Sequence, residues 1–378
     1  MKHKIGWING LRCIAIIGVV WHHLMGGMFF VPGRPAPFLS SLYSIPPLSN
    51  GWLGVSLFFF LSGFVLYLPF IDAAKPFATP GAKRAFYVHR ARRLLPLFYI
   101  SLWIGFFLPF VHHERYLWHF AKFNLLVFSL FQRGTFMPVG NWVLWSLVVE
   151  IWFSLIFPFI VIAIYRYGMV WVVVAVSLLS LAARLVGYTW FDAPVDVAYL
   201  NVVSDGVLGR LDGFVIGMLA AQIFVRRDPR WSRLAGLALP ASIVLIATAL
   251  FGWDYWFSGA FDRRWAALLQ AFTNWGCFLL AIHLSFRENA LKKFLTLKPL
   301  QVVGMMCFSI YAWHGLLLGG VYGDYFNWQL ATILAGLPIY LTALAGVSLL
   351  SYRFIEFPGR PLAKLFLVGR TPHAAVRK

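Results

Sequence analysis

Ten apolar stretches divide this chain, near residues 10–30, 51–71, 94–111, 143–164, 169–190, 209–225, 234–253, 265–286, 300–320 and 329–352, and most have the length of a helix that crosses a hydrocarbon core. That repetition predicts an all-α polytopic membrane protein of about ten transmembrane helices. Composition agrees, with 61% hydrophobic residues, 12% charged, 17 Trp and 37 Phe in 378 residues. A net charge of +19 raises the idea of a nucleic-acid partner. The cations sit in short connections between apolar segments rather than along one soluble domain, so positive-inside topology accounts for them and no nucleic acid is expected. The basic start before the first stretch resembles a signal peptide. No small-residue cleavage site follows, and Trp21-His22-His23 interrupts the run, so it is read as a retained first span. Cys13, Cys277 and Cys307 fall within spans without paired or metal-ligand spacing, implying no disulfide framework and no metal.

With the N-terminus inside, ten spans return the C-terminus inside and both termini are cytoplasmic. Of the 32 Lys and Arg, 23 then fall in inner segments. Residues 117–133 are apolar enough to be an eleventh span, which would put the arginines of 83–93 and of 226–233 on opposite faces. They are therefore expected to be re-entrant or interfacial in the outer half of the membrane. One transmembrane domain is expected over 1–360, followed by a short basic cytoplasmic tail over 361–378 that lies on anionic lipid.

Ionisable residues inside such spans cost several kcal/mol unless paired or hydrated, so each is a functional candidate. Arg12 and His23 are eleven residues apart, which returns them to one helix face three turns apart. His22 falls roughly 80° away. Neutral imidazole can take a proton from a hydroxyl and a guanidinium can hold an anionic or carbonyl group. The competing account has the histidines cap a packing surface and Arg12 snorkel to headgroups. Arg90 and Arg93, preceded by Lys83 and Arg84, offer forked guanidiniums suited to phosphate, though a juxtamembrane cluster is ordinarily a topology anchor. Glu150 enters an apolar span one turn below Ser146 and Trp145. It could orient an imidazole, accept from substrate, or neutralise Arg210 or Arg12. Ser309, Tyr311, Trp313 and His314 could line a polar seam, with Trp313 taken as an interfacial aromatic. Arg210 and Asp212 would point apart on a helix, whereas Glu356 can face Arg353.

These segments together resemble the acyltransferase-3 family of integral membrane acyltransferases. The likeness runs from Leu11-Arg12 through His23, Gly51 to Phe64, Arg90-x-x-Arg93-x-x-Pro96, Trp145-Ser146-Leu147-x-x-Glu150, Arg210-Leu-Asp-Gly-Phe214-x-x-Gly217, Phe308-Ser309-Ile-Tyr311-x-x-His314 and Ile355-Glu356-x-Pro358. The seven segments follow in order over about residues 5 to 360. The resemblance implies transfer of an acyl group, commonly acetyl, from cytoplasmic acyl-CoA to a hydroxyl of a carbohydrate or glycoconjugate at the outer face of a bacterial inner membrane. His23 would be catalytic with Arg12 beside it and Glu150 as the further acidic group. Arg90, Arg93 and Arg84 would hold coenzyme A phosphates, and Trp145, Ser146, Tyr311 and His314 would meet substrate. Asn9 and Ser56 stand where the family commonly has aspartates. The family's extra C-terminal hydrolase-like domain is not expected here, which leaves the membrane domain to act alone or with a separate partner.

Acyl-CoA is too large and charged to cross a bilayer, so a buried His23 reached from both sides would join donor to acceptor. His23 would serve as general base for direct attack or as a transient acyl carrier. A transporter or flippase of a lipid-linked sugar or small anion would also use buried Arg, His and Glu, but no inverted halves are evident. A lipid-using glycosyltransferase would need acidic metal ligands, for which Asp192 and Asp196 are the only spaced candidates. Acceptor identity and oligomeric state stay open. Trp253, Tyr255 and Trp256 suit either sugar stacking or interfacial anchoring.

Overall fold

A computed structural model describes residues 5–29, 45–73, 75–107, 121, 123–126, 141–190, 202–257, 262, 264–322 and 330–358, and every regular element among them is helical. The long helices are α1 (Gly6–Phe29), α2 (Gly54–Tyr67, entered through a 3-10 turn at Gly51–Leu53), α3 (Pro80–Phe107), α4 (Trp145–Tyr167, entered through a 3-10 turn at Trp142–Leu144), α5 (Met169–Trp190) and α6 (Val207–Arg226). They continue with α7 (Pro229–Phe257), α8 (Trp265–Phe286), the short α9 (Ala290–Leu295) and α10 (Lys298–Met305), then α11 (Cys307–Tyr322) and α12 (Leu330–Ser351), which ends in a π turn at Tyr352–Glu356.

Eight helices among the described residues are long and apolar enough to cross a membrane, or nine if α10 and α11, bent by 69° at Met306, count as one broken span. This is below the expected ten for a physical reason. The third expected span is the apolar end of α3, a helix that begins fourteen residues earlier and carries its arginines inside the helix rather than in a loop. Pro80 opens it and the run is rich in Ala, Arg and Leu, all good helix formers. Segment 117–133 lies outside the described residues except for 121 and 123–126. Its flanks are informative nonetheless. The Tyr87 hydroxyl donates to the Leu155 carbonyl at 3.0 Å, and Arg90 reaches Ser154 and Glu150. Helices α3 and α4 are therefore antiparallel, so Phe107 and Trp142 lie at the same end of the bundle.

Helices α2 and α6 run parallel, since Ser56 meets Arg210 near one end and Tyr67 meets Gln222 near the other. Between these contacts the backbones touch. A Cβ on Gly63 would lie 2.0 Å from the Phe214 carbonyl oxygen, and one on Gly217 would lie 2.1 Å from that of Phe60. Without a hydrophobic force between helices in lipid, such close approach is what holds a pair together. Around it packs a core of Phe59, Phe60, Phe64, Phe153, Phe157 and Phe214. Phe153 and Phe214 stack with centroids 3.8 Å apart. Exposed Leu, Ile and Phe line the outer faces of α5, α7 and α12, as a lipid-facing perimeter requires.

Candidate functional site

Buried charge falls into three groups. In the first, Arg184 of α5 is 1% exposed and pairs bidentately with Asp212 of α6 at 3.0 and 2.9 Å. In the second, Arg210 bonds Asp205, Gln270 and Ser56, and Gln270 continues to Asn274 at 3.1 Å. Arg210 and Asp212 do point apart, as their i+2 spacing predicts. Ser56 thus sits beside a guanidinium that takes its carboxylate from Asp205. Asn9 donates to Gln301 Oε1 at 3.3 Å, tying α1 to α10.

The third group draws on α1, α2, α3, α4, α11 and the π turn. Arg90 donates to Glu150 at 2.9 Å and to Ser154 at 3.1 Å, and Ser62 donates to the same Glu150 oxygen at 2.8 Å. Arg93 pairs with Glu356, which also accepts from Ser309, and its guanidinium lies over the rings of Phe357 and Phe308 at 4.5 and 5.4 Å. Arg12 of α1, Arg93, Glu150 and Glu356 all lie within electrostatic reach of Cys307 at the start of α11, so Arg12 stands beside this cluster. Arg12 is half-buried and, among the described residues, makes no ion pair or hydrogen bond. Three guanidiniums therefore face two carboxylates.

Two expectations change here. Glu356 meets Arg93 rather than Arg353, because residues 352–356 wind as a π turn and Arg353 is left over the ring of Phe354. Glu150 neutralises Arg90, a partner the sequence did not single out. Arg84 is exposed at the start of α3, apart from Arg90 and Arg93.

The histidines occupy another level. Eleven residues of continuous helix separate Arg12 from His23 by about 16 Å along α1, so they share a face without adjoining. His23 Nδ1 lies 2.8 Å from His314 Nε2, with the two rings 11° from parallel and centroids 5.1 Å apart, an edge-to-edge arrangement that points one ring nitrogen at the other. Trp142 meets His23 edge-to-face at 4.4 Å. Beneath, Ser146 donates to the Tyr311 hydroxyl at 2.6 Å, and Tyr311 donates to the Val143 carbonyl at 3.0 Å. Asn141 Nδ2 bonds the Ala312 carbonyl, fixing the start of α4 against α11, while its buried Oδ1 has no partner among the described residues.

His22 has different work. Its Nδ1 donates to the Ser49 carbonyl at 2.7 Å, and Ser49 and Asn50 bond Asp254 of α7. Trp313 is buried and donates to Ser351 at 2.7 Å, a tie between helices rather than an interfacial anchor. Trp253 is likewise buried, between Trp52 and Trp256.

The structure brings His23, His314, Tyr311 and Ser146 together, and Arg12, Arg90, Arg93 and Glu150 together. Trp145 is buried in the core beside Ser146. The aromatic ring on His23 belongs to Trp142, which sequence reasoning passed over. Its signal was a place one turn before Trp145 and Ser146 on the same strip.

A family profile described as an acyltransferase domain matches residues 5–352. O-acetyltransferase OatA of Staphylococcus aureus (strain NCTC 8325 / PS 47) is 26% identical over 380 residues, a match covering 93% of this chain and 57% of that protein. OatA of strain COL matches with the same figures. The chain thus spans rather more than half the length of these relatives. No solved structure matches it.

Proposed function

Because this chain belongs to the acyltransferase-3 family, we propose that it is a membrane O-acyltransferase, moving an acetyl group from acetyl-CoA to a hydroxyl of a glycan or glycoconjugate across a bacterial inner membrane. One observation supports this reading above the others. A single face of α1 places Arg12 beside a cation-rich cluster at one level and His23, paired with His314 of α11, about 16 Å further along. Arg12, with Arg90 and Arg93, suits the anionic and carbonyl groups of an acyl-CoA entering from the cytoplasm, and exposed Arg84 suits its outlying phosphates. The extended pantetheine arm then carries the thioester up to His23, near which Trp142, Trp145, Ser146 and Tyr311 are the side chains an acceptor would meet. His23 takes the proton of the acceptor hydroxyl and the oxygen attacks the thioester carbon. A C–O bond forms, the C–S bond breaks, and the departing thiolate recovers the proton. The same nitrogen could first attack the thioester and hold the acetyl group before passing it on.

Turnover of acetyl-CoA by the protein in nanodiscs, supplied with extracted glycan acceptors, tests the reading. His23→Ala should lower turnover by about 10²–10⁴-fold, the contribution of a general base. His22→Ala should remain active with a lower thermal midpoint, and Arg93→Ala should weaken CoA binding. Equal turnover by wild type and His23→Ala would overturn it.

A further inference from the structure

His314 is fully buried, and its surroundings decide which ring nitrogen carries hydrogen. Its Nδ1 lies 2.6 Å from the Tyr311 carbonyl oxygen. Carbonyl oxygens only accept, so Nδ1 is an N–H. No carboxylate touches His314 among the described residues, and the buried site accommodates the neutral ring. Its Nε2 then holds a lone pair, and this is the atom 2.8 Å from His23 Nδ1. Two lone pairs do not make a hydrogen bond. His23 Nδ1 is therefore the donor, and the lone pair of the His23 ring resides on Nε2.

We propose that His314 is the positioning residue of His23, holding it through a chain from the Tyr311 carbonyl in the tautomer whose Nε2 is the reacting nitrogen. This rests on the reading of His23 as the reacting histidine. The acidic residue best placed by sequence for this task, Glu150, is engaged by Arg90 and Ser62 in the other cluster. A histidine thus does here what a carboxylate does in a Ser-His-Asp arrangement. When His23 Nε2 gains the acceptor's proton, its Nδ1–H bond to His314 becomes charge-assisted and strengthens. The far end of the chain is a backbone carbonyl that takes up no proton. The charge is accordingly not relayed beyond the histidine pair, and His23 Nε2 returns the proton to the thiolate as the C–S bond breaks.

The test compares His314→Gln, whose amide oxygen can accept from His23, with His314→Leu, which cannot. The leucine variant should lose kcat by about 10-fold or more, up to the roughly 10⁴-fold seen when the group that fixes a catalytic histidine's tautomer is lost, with an unchanged KM for acetyl-CoA. Glutamine should restore most of that loss. A ¹⁵N-histidine spectrum of protein in lipid, with the His23 signals identified by their absence in His23→Gln, should show Nδ1 protonated in wild type and both tautomers in His314→Leu. Wild-type kcat in His314→Leu, or equal losses in both variants with the His23 tautomer unchanged, would overturn the inference. If His23→Ala keeps its turnover, the underlying reading falls. If His23→Ala is inactive while His314→Leu is undiminished, that reading stands and only this inference falls.

Discussion

Replacing Arg184 with methionine isolates the energetics of the most buried ion pair in the bundle. The side chains of Arg184 and Asp212 are 1% and 2% exposed, and the substitution removes two hydrogen bonds to the carboxylate and one of 2.8 Å to the Gly209 carbonyl. Among the described residues, Asp212 then keeps only the Gly213 N–H on its carboxylate, at 2.9 Å. A buried charge stripped of its partner destabilises by about 3–5 kcal/mol. In Arg184→Met/Asp212→Leu neither charge remains, and the chief residual loss is one hydrogen bond at the Gly209 carbonyl, which keeps its place in the α6 ladder, about 0.5–1.5 kcal/mol. The double variant should therefore be more stable than Arg184→Met despite carrying one more change. An SDS titration of protein in dodecylmaltoside micelles, followed by far-UV circular dichroism, measures both. Leu178→Ala, at a position 62% exposed on the same helix, is the control. If Arg184→Met unfolds with the control, or if the double variant is as unstable as the single, the pair is not the electrostatic tie described.

Gly217→Val should prevent α2 and α6 from seating, because its Cβ would meet the Phe60 carbonyl oxygen at 2.1 Å. The expected result is little monodisperse protein on size-exclusion chromatography, and a normal yield would refute the contact. Arg12→Gln should weaken coenzyme A binding by about 10-fold or more in calorimetry, the worth of a charge-assisted hydrogen bond, while the thermal midpoint holds. A fall in stability with unchanged binding would mark Arg12 as structural instead.

Residues 265–286, expected as a span from hydropathy alone, are α8 to the residue, because a long apolar run bounded by arginines allows one reading. The separation of Arg210 from Asp212 was equally legible from helical arithmetic. Helical arithmetic worked less well for Glu356, because α-helical i+3 spacing does not hold through the π turn at Tyr352–Glu356. The motif glycines 63 and 217 stand out in the sequence, but the sequence does not say that they serve packing rather than chemistry. Nor could it match partners between spans. Arg184 with Asp212, Arg90 with Glu150, and His23 with His314, 291 positions apart, are choices made by tertiary packing among several compatible charges. Trp142 was missed because a 3-10 entry to α4 sets its direction.

The seating of Gly63 on Phe214 and of Gly217 on Phe60 also limits how this protein can move. Two helices whose carbonyl oxygens lie where the partner's Cβ atoms would be cannot slide along one another by a fraction of a turn without collision. Helices α2 and α6 therefore travel as one rigid body. Helix α10 is pinned in the same way, Gly304 against the Asn9 carbonyl oxygen of α1, so any breathing that admits a large ligand must come from elements without such a lock, and at the 69° break after α10 the element able to swing is α11, which carries Ser309 and His314.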